Sequence, residues 1–336
     1  MKHVFCIAIV LLLCVGNVQA ADVPFVELKG HKEWVNFATF SPDGEKTITA
    51  SWDGTTRIWD TKSGKELQKF QERADLLGTD RFRDGTAPEG GHYGGGGDNY
   101  ASMSPDGKKI VTACVAFVAE IWDVESGKKL RHLSGHSGSI VSANFSPCGK
   151  KIVTASIDST IRMWDAESGE QLQILARTKG WSGESAVFSP DGKKIAIAGR
   201  HGTAARILDA ESGKELVELP SGMVYSAMFS SDGKKIVTAG DDHTARIWDT
   251  ESRKELQKLA GPSGRVFAAA FSPDGQKVVT AGWDKTVRIW DANTGEILRT
   301  LSGHTDWVLA VAFSPCGKKI VSAGKDNTAR IWILEP

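Results

Sequence analysis

His136, Thr154, Asp158 and Trp164 fall within one short stretch of the chain. A histidine, a hydroxyl and a carboxylate are the parts of a nucleophilic site: the imidazole takes the hydroxyl proton and the carboxylate orients the imidazole. The same types return at the same offsets as His31, Thr49, Asp53 and Trp59, and as His304, Ser322, Asp326 and Trp332. Two further stretches keep three members, Thr238, Asp242 and Trp248, and Thr280, Asp284 and Trp290. One active site has no use for three complete copies, whereas a structural staple repeated along a chain does. Trp donates one N–H and accepts nothing, so a buried Trp needs an acceptor. The hydroxyl can accept from Trp and donate to His, and His can donate to Asp. No catalytic residue is assigned.

The elements that must position these residues are repeats. A Trp-Asp-like pair occurs at Trp59, Trp122, Trp164, Leu208, Trp248, Trp290 and Trp332, with intervals of 63, 42, 44, 40, 42 and 42 residues. A Ser-Pro-Asp-Gly turn begins at Ser41, Ser104, Ser146, Ser189, Ser230, Ser272 and Ser314, with nearly the same intervals. Each copy reads as four short strands. An alternating apolar run such as Ile140–Phe145 is followed by a type I turn with Pro second and Gly fourth. A second strand, an Asp-containing turn, a third strand ending in Trp, a Ser-Gly turn and a fourth strand complete the unit.

On these residues the sequence resembles the WD40 repeat family, with its GH and WD signatures at about 40–45 residue spacing. The resemblance covers about residues 25–333. It implies an all-β fold, a seven-bladed β-propeller of four-stranded antiparallel blades. It also implies that the His-Thr-Asp-Trp sets are structural tetrads. The last copy stops at its third strand, and Phe25–Leu28 is an unmatched fourth-type strand at the other end. Pairing the two would close the ring and remove an open edge.

Function belongs to what the repeat does not dictate. Positions three and five beyond the tetrad His, and the position before the tetrad Asp, map to loops on one rim, the top. There they read Trp34 and Trp52 in blade one, with Met223, Tyr225 and Asp241 in blade five. Arg265, Phe267 and Trp283 follow in blade six, and Trp307, Leu309 and Lys325 in blade seven. The large residues fall in blades five, six, seven and one, which are contiguous, and these types dominate binding hot spots. These eleven are the candidate partner-binding residues. Arginines two places before the Trp position, such as Arg57, Arg162 and Arg330, read as a solvated blade edge.

Lys and Arg number 41, as do Asp and Glu, so no charge excess points to nucleic acid. Residues 1–20 read as a secretory signal: Lys2 and His3, an apolar run Val4–Val15, and small residues before a cleavage point after Ala20. The run is too short for an ordinary spanning helix. A mature chain of residues 21–336 is therefore expected outside the cytoplasm, periplasmic or secreted, monomeric and without a stable membrane span. It keeps Cys114, Cys148 and Cys316. An odd count leaves at least one thiol outside any internal bridge. The long first interval carries a Gly-rich insertion at about 71–99 between blades one and two. Its His92, Asp75, Asp80, Asp84 and Asp98 match no metal-loop spacing, so neither a metal nor a cofactor is assigned. The expected function is a non-enzymatic scaffold that binds a protein or peptide on the top rim. The alternative is an exported propeller with a metal- or small-molecule-dependent enzymatic role, using the channel and the insertion.

Overall fold

The computed structural model describes residues 23–71, 100–113, 117–177, 183–199 and 205–334. The segment 1–20, the insertion after Gln71, Cys114 and Trp181 lie outside the described residues. The chain forms seven four-stranded antiparallel sheets, with strands in sequence order in six of them. In blade one these are β2 (Val35–Phe40), β3 (Lys46–Ser51), β4 (Thr55–Asp60) and β5 (Glu66–Gln71).

The seventh sheet is built from both ends of the chain. β1 (Phe25–Leu28) pairs antiparallel with β28 (Ala329–Ile333), which continues into β27 (Lys319–Gly324) and β26 (Val308–Phe313). The register sets Phe25 opposite Trp332 and Leu28 opposite Ala329. Leu28 is fully buried in a cluster with Val35, Trp59, Val321 and Ile331, which joins blade seven to blade one. The Phe25 and Trp332 rings lie 5.0 Å apart across the pair. A blade that borrows its outer strand from the other terminus leaves no unpaired edge at the junction.

Each second strand is buried on both faces. Lys319–Gly324, KIVSAG, has every residue after the first Lys buried, the burial pattern of a strand sandwiched between neighbours. The fourth strands alternate and are mostly exposed, as in Glu66–Gln71. The first strands of neighbouring blades pack together, so they line the axis and carry the inter-blade polar links. Tyr100 Oη donates to Asn144 Oδ1 at 3.1 Å, and Asn144 Nδ2 donates to the Ala186 carbonyl at 2.9 Å. Burial pushes the Tyr100 phenol up to about 12, with the Asn144 bond acting the other way.

Six first strands carry a register shift near the top. In blade one it falls between Val35 and Phe37, so Asn36 is the extra residue. The same shift singles out Tyr225, Phe267 and Leu309 in blades five to seven. A bulge re-aims a side chain out of the pleat, and the bulged Tyr225 and Phe267 meet Asp241 and Trp307 of the rim loops. The opposite rim is made of the Ser-Pro-Asp-Gly turns. Gly44 N–H closes the first on the Ser41 carbonyl at 2.9 Å, and the turn ends with Gly44 at φ +74°, where glycine avoids a Cβ clash.

Candidate functional site: the tetrads and the top rim

In blade three Trp164 Nε1 donates to Thr154 Oγ1 at 2.8 Å. Thr154 Oγ1 lies 2.7 Å from His136 Nε2, and His136 Nδ1 lies 2.8 Å from Asp158 Oδ2. Blade one repeats the chain through Trp59, Thr49, His31 and Asp53 at 2.8, 2.7 and 3.0 Å. Blade seven repeats it through Trp332, Ser322, His304 and Asp326 at 2.8 Å for each bond. The order of donation follows from chemistry: Trp can only donate, so the hydroxyl spends its own hydrogen on Nε2, and Nδ1–H goes to the carboxylate.

Each Asp also accepts backbone N–H groups, as Asp158 does from Ser137 at 3.0 Å and Thr160 at 2.9 Å. The carboxylate therefore ties the loop entering one strand to the turn leaving another. Burial disfavours the Asp158 charge, but the Thr160 hydroxyl, the Ser137 N–H and His136 outweigh it and hold the carboxyl at about 2. Asp53 and Asp326 are likewise held well below the ordinary value: burial opposes, and His31 and His304 lead the groups that prevail. Burial keeps His136 below its usual value in spite of Asp158. An imidazole sealed at both nitrogens and a hydroxyl already donating leave no nucleophile open to a substrate.

The arginines are not a solvated edge. Arg57 and Arg330 are buried, because the residue two before Trp shares the Trp face of the third strand. Arg57 Nη2 lies 3.5 Å from the tetrad Asp53, and Nη1 donates to Glu66 on the next strand at 2.8 Å. Arg162 repeats this with Asp158 at 3.6 Å and Gln171 at 2.7 Å. The guanidinium folds over the glycine of the Gly-His pair. Gly135 sits at φ +152°, a conformation that a side chain would strain, and a Cβ there would also fall 2.9 Å from Arg162 Nη1.

Blades five and six put Pro220 and Pro262 where His would stand. Their Trp248 and Trp290 still donate to Thr238 and Thr280, at 2.9 and 2.8 Å. The freed carboxylates turn to arginine: Asp242 pairs with Arg246, and Asp284 with Arg288 at 2.6 Å. In blade two the cross-strand pair is reversed, with Glu120 in the arginine place and Lys129 as its partner at 2.5 Å. These substitutions are visible in the sequence once the repeats are aligned at the Pro, Glu and Lys positions.

On the top rim, most of the eleven candidates meet in one continuous arc. Tyr225 Oη donates to Asp241 Oδ1 at 2.6 Å, and Arg265 Nε pairs with the same oxygen at 2.6 Å. The Tyr225 and Phe267 rings lie 5.4 Å apart, and Phe267 and Trp307 5.8 Å. Trp283 stacks on Trp307 at 3.9 Å, with the Arg265 guanidinium 5.6 Å from the Trp283 ring. Lys325 Nζ then lies 3.8 Å from the Trp307 ring centre and 3.5 Å from that of Trp34. Trp34 meets Trp52 at 4.4 Å. The arc so crosses the junction where the ring closes.

The backbone fixes the positions. Trp52, Asp241, Trp283 and Lys325 each donate their N–H to the carbonyl of Trp34, Met223, Arg265 and Trp307 respectively, at 2.9–3.1 Å. Met223 joins through that carbonyl, with its side chain exposed, and Leu309 is half-buried on its bulged strand. Trp52 and Trp283 are 36% and 37% exposed, so the two ends of the indole series are open to a ligand. Burial between the rings lowers the Lys325 amine to about 8, although Asp306 acts to raise it.

Among the described residues no group of three or more His, Cys, Asp or Glu is placed to hold a metal ion. Cys148 and Cys316 are exposed free thiols in the bottom turns, where each takes the place of Asp beside the turn Ser.

Seven four-stranded sheets, repeated Trp-anchored hydrogen-bond chains and glycine-pinned turns define a repeat β-propeller. The family model described as WD domain, G-beta repeat, matches residues 23–60, 127–165, 213–249, 253–291 and 295–332. These matches cover more than half of the sequence, and the chain belongs to that family. WD repeat-containing protein 1 of Gallus gallus is 37% identical over 97 residues, 29% of this chain and 13% of that protein. The small ribosomal subunit protein RACK1 of Candida albicans is 38% identical over 55 residues, 16% of this chain and 17% of its own length. Cross-pathway control WD-repeat protein 2 of Flammulina velutipes is 30% identical over 116 residues, 34% of this chain and 29% of that protein. The chain thus spans less than a third of the length of each of these relatives.

Proposed function

We propose that this chain is an exported, non-enzymatic scaffold that holds a protein or peptide partner on the aromatic arc of its top rim. The observation that carries the reading is the unbroken series from Tyr225 through Phe267, Trp307 and Lys325 to Trp34 and Trp52. Rigid aromatic rings held by backbone bonds lose little entropy on binding, and Trp, Tyr and Arg are the side chains that anchor interfaces. Membership of a family of repeat propellers agrees with an interaction role, and the tetrads are spent on stability. Export rests on the residue pattern of the first twenty positions.

The test is capture. The chain lacking residues 1–20 is immobilised and offered proteins from the exported fraction of its source, beside a Trp283→Ala, Trp307→Ala variant shown to be folded by circular dichroism. A partner held by the parent and lost by the variant supports the arc. A partner held equally by both moves the site to another surface and ends this reading.

A further inference from the structure

We propose that the arc takes a proline-rich, uncharged segment of its partner, laid across the indoles in the polyproline II conformation. This rests on the scaffold reading and adds the chemistry of the ligand. The argument is one of hydrogen-bond complementarity, because the indoles of this chain fall into two kinds. Trp59, Trp122, Trp164, Trp248, Trp290 and Trp332 each give their N–H to a Thr or Ser hydroxyl of their own blade, at 2.8–3.0 Å. The N–H groups of Trp34, Trp52 and Trp283 find no acceptor among the described residues. Trp52 and Trp283 are more than a third exposed. A side chain that donates once and accepts nothing must there take its acceptor from water or from a ligand.

The ions of the rim are answered inside the chain. Arg265 pairs with Asp241 at 2.6 Å, and Lys285 Nζ donates to the Thr305 carbonyl at 2.8 Å. Lys325 lies against the Trp34 and Trp307 rings, with Asp306 favouring its charge. Asp306 itself accepts the Trp307 N–H. The carbonyls of Trp34, Met223, Arg265 and Trp307 are taken by backbone N–H groups. What the arc turns outward is flat indole surface and indole N–H. A ligand that fits it brings acceptors and apolar rings but few donors, since a donor buried against indole is left unpaired at a cost. Proline answers that description: it has a carbonyl, an apolar ring and no N–H. In polyproline II no carbonyl is used within the segment, and the conformation is set before binding, so little entropy is lost. The conformation rises about 3.1 Å per residue. A few residues therefore run from the Trp52–Trp34 pair, in contact at 4.4 Å, to the Trp307–Trp283 pair at 3.9 Å.

A synthetic decaproline peptide, titrated into the chain lacking residues 1–20 with its tryptophans isotope-labelled, tests this without a known partner. The indole N–H resonances of Trp34, Trp52 and Trp283 should move and saturate, while those of Trp59 and Trp164 stay. A Gly-Ser peptide of equal length should move none of them. Trp283→Phe keeps an aromatic face and removes the donor, and should weaken decaproline about fivefold, the worth of one hydrogen bond. Raising salt to about 0.5 M, which screens charge and leaves ring contact, should change nothing. Rim resonances unmoved at millimolar decaproline, or moved equally by the Gly-Ser peptide, overturn the proposal. Panning random peptides on phage against the parent and against Trp283→Ala, Trp307→Ala separates its failure from that of the docking reading. A proline-rich pool lost by the double variant is the expected result. A pool without proline that the variant still loses overturns the proline proposal alone. A pool held equally by both overturns the docking reading and the proposal with it.

Discussion

Replacing Thr154 by Val keeps the shape of the side chain and removes one hydroxyl. In blade three that hydroxyl serves two groups, accepting from Trp164 Nε1 at 2.8 Å and meeting His136 Nε2 at 2.7 Å. Trp164 is fully buried and His136 nearly so. Each group left without a partner costs about 1–3 kcal/mol, so Thr154→Val should cost about 3 kcal/mol. Blade five supplies the control. Thr238 accepts from Trp248 at 2.9 Å, and Pro220 stands where the His would be. Thr238→Val strands one group and should cost about 1–2 kcal/mol. Both variants are followed by urea unfolding of the chain lacking residues 1–20, with the slope checked to be unchanged so that midpoints report stability. Equal losses in the two blades would refute the claim that His136 depends on Thr154, and with it the account of the tetrad as a coupled network.

Three further outcomes follow from the same geometry. Asp53, Asp158 and Asp326 have folded pKa values below the ordinary 3.8, so their contribution is complete above about pH 4 and is lost as pH falls through the folded values, near 2 for Asp158. His136, depressed by burial, adds a shallower loss that begins below its ordinary 6.5; urea midpoints taken from pH 7 to pH 2 should show both, and Asp158→Asn should flatten the lower one. Leu28→Ala removes a fully buried side chain from the closing strand and should cost about 2–5 kcal/mol by the same assay. Lys325→Met removes an amine whose charge burial disfavours and should raise the urea midpoint, a gain of about 1 kcal/mol at most after allowance for its exposure.

The sequence made the propeller legible because two independent markers kept one period. It also made the closure legible, because a fourth strand was missing at one end and present at the other. The arc was legible as positions, since large side chains at fixed offsets stood out from small ones in blade three. Its continuity was not. Whether Trp307 touches Trp34 through Lys325 depends on how blades seven and one pack, and no spacing within one repeat encodes that. The arginines were misread because charge suggests solvent. Their strand parity, two before a buried Trp, was the stronger signal, and it puts the guanidinium over the tetrad Asp. Arg330 shows how far this holds. Phe25 stands opposite Trp332 where blade one sets Glu66 opposite Trp59, and Arg330 Nε and Nη1 are left without a hydrogen-bond partner. Glu27 at 3.7 Å and the Phe25 ring at 4.8 Å are its neighbours instead.

The most direct test of partner docking on the top rim uses reporters already built into the two rims. Trp52 and Trp283 are exposed on the top, and Cys148 and Cys316 in the bottom turns. Indole oxidation and thiol alkylation are measured on the same sample, with and without the captured partner, by peptide mass spectrometry. The account predicts that the partner protects Trp52 and Trp283 and leaves the alkylation rates of Cys148 and Cys316 unchanged. Protection of the thiols with the indoles still open would place the partner on the opposite rim and contradict it.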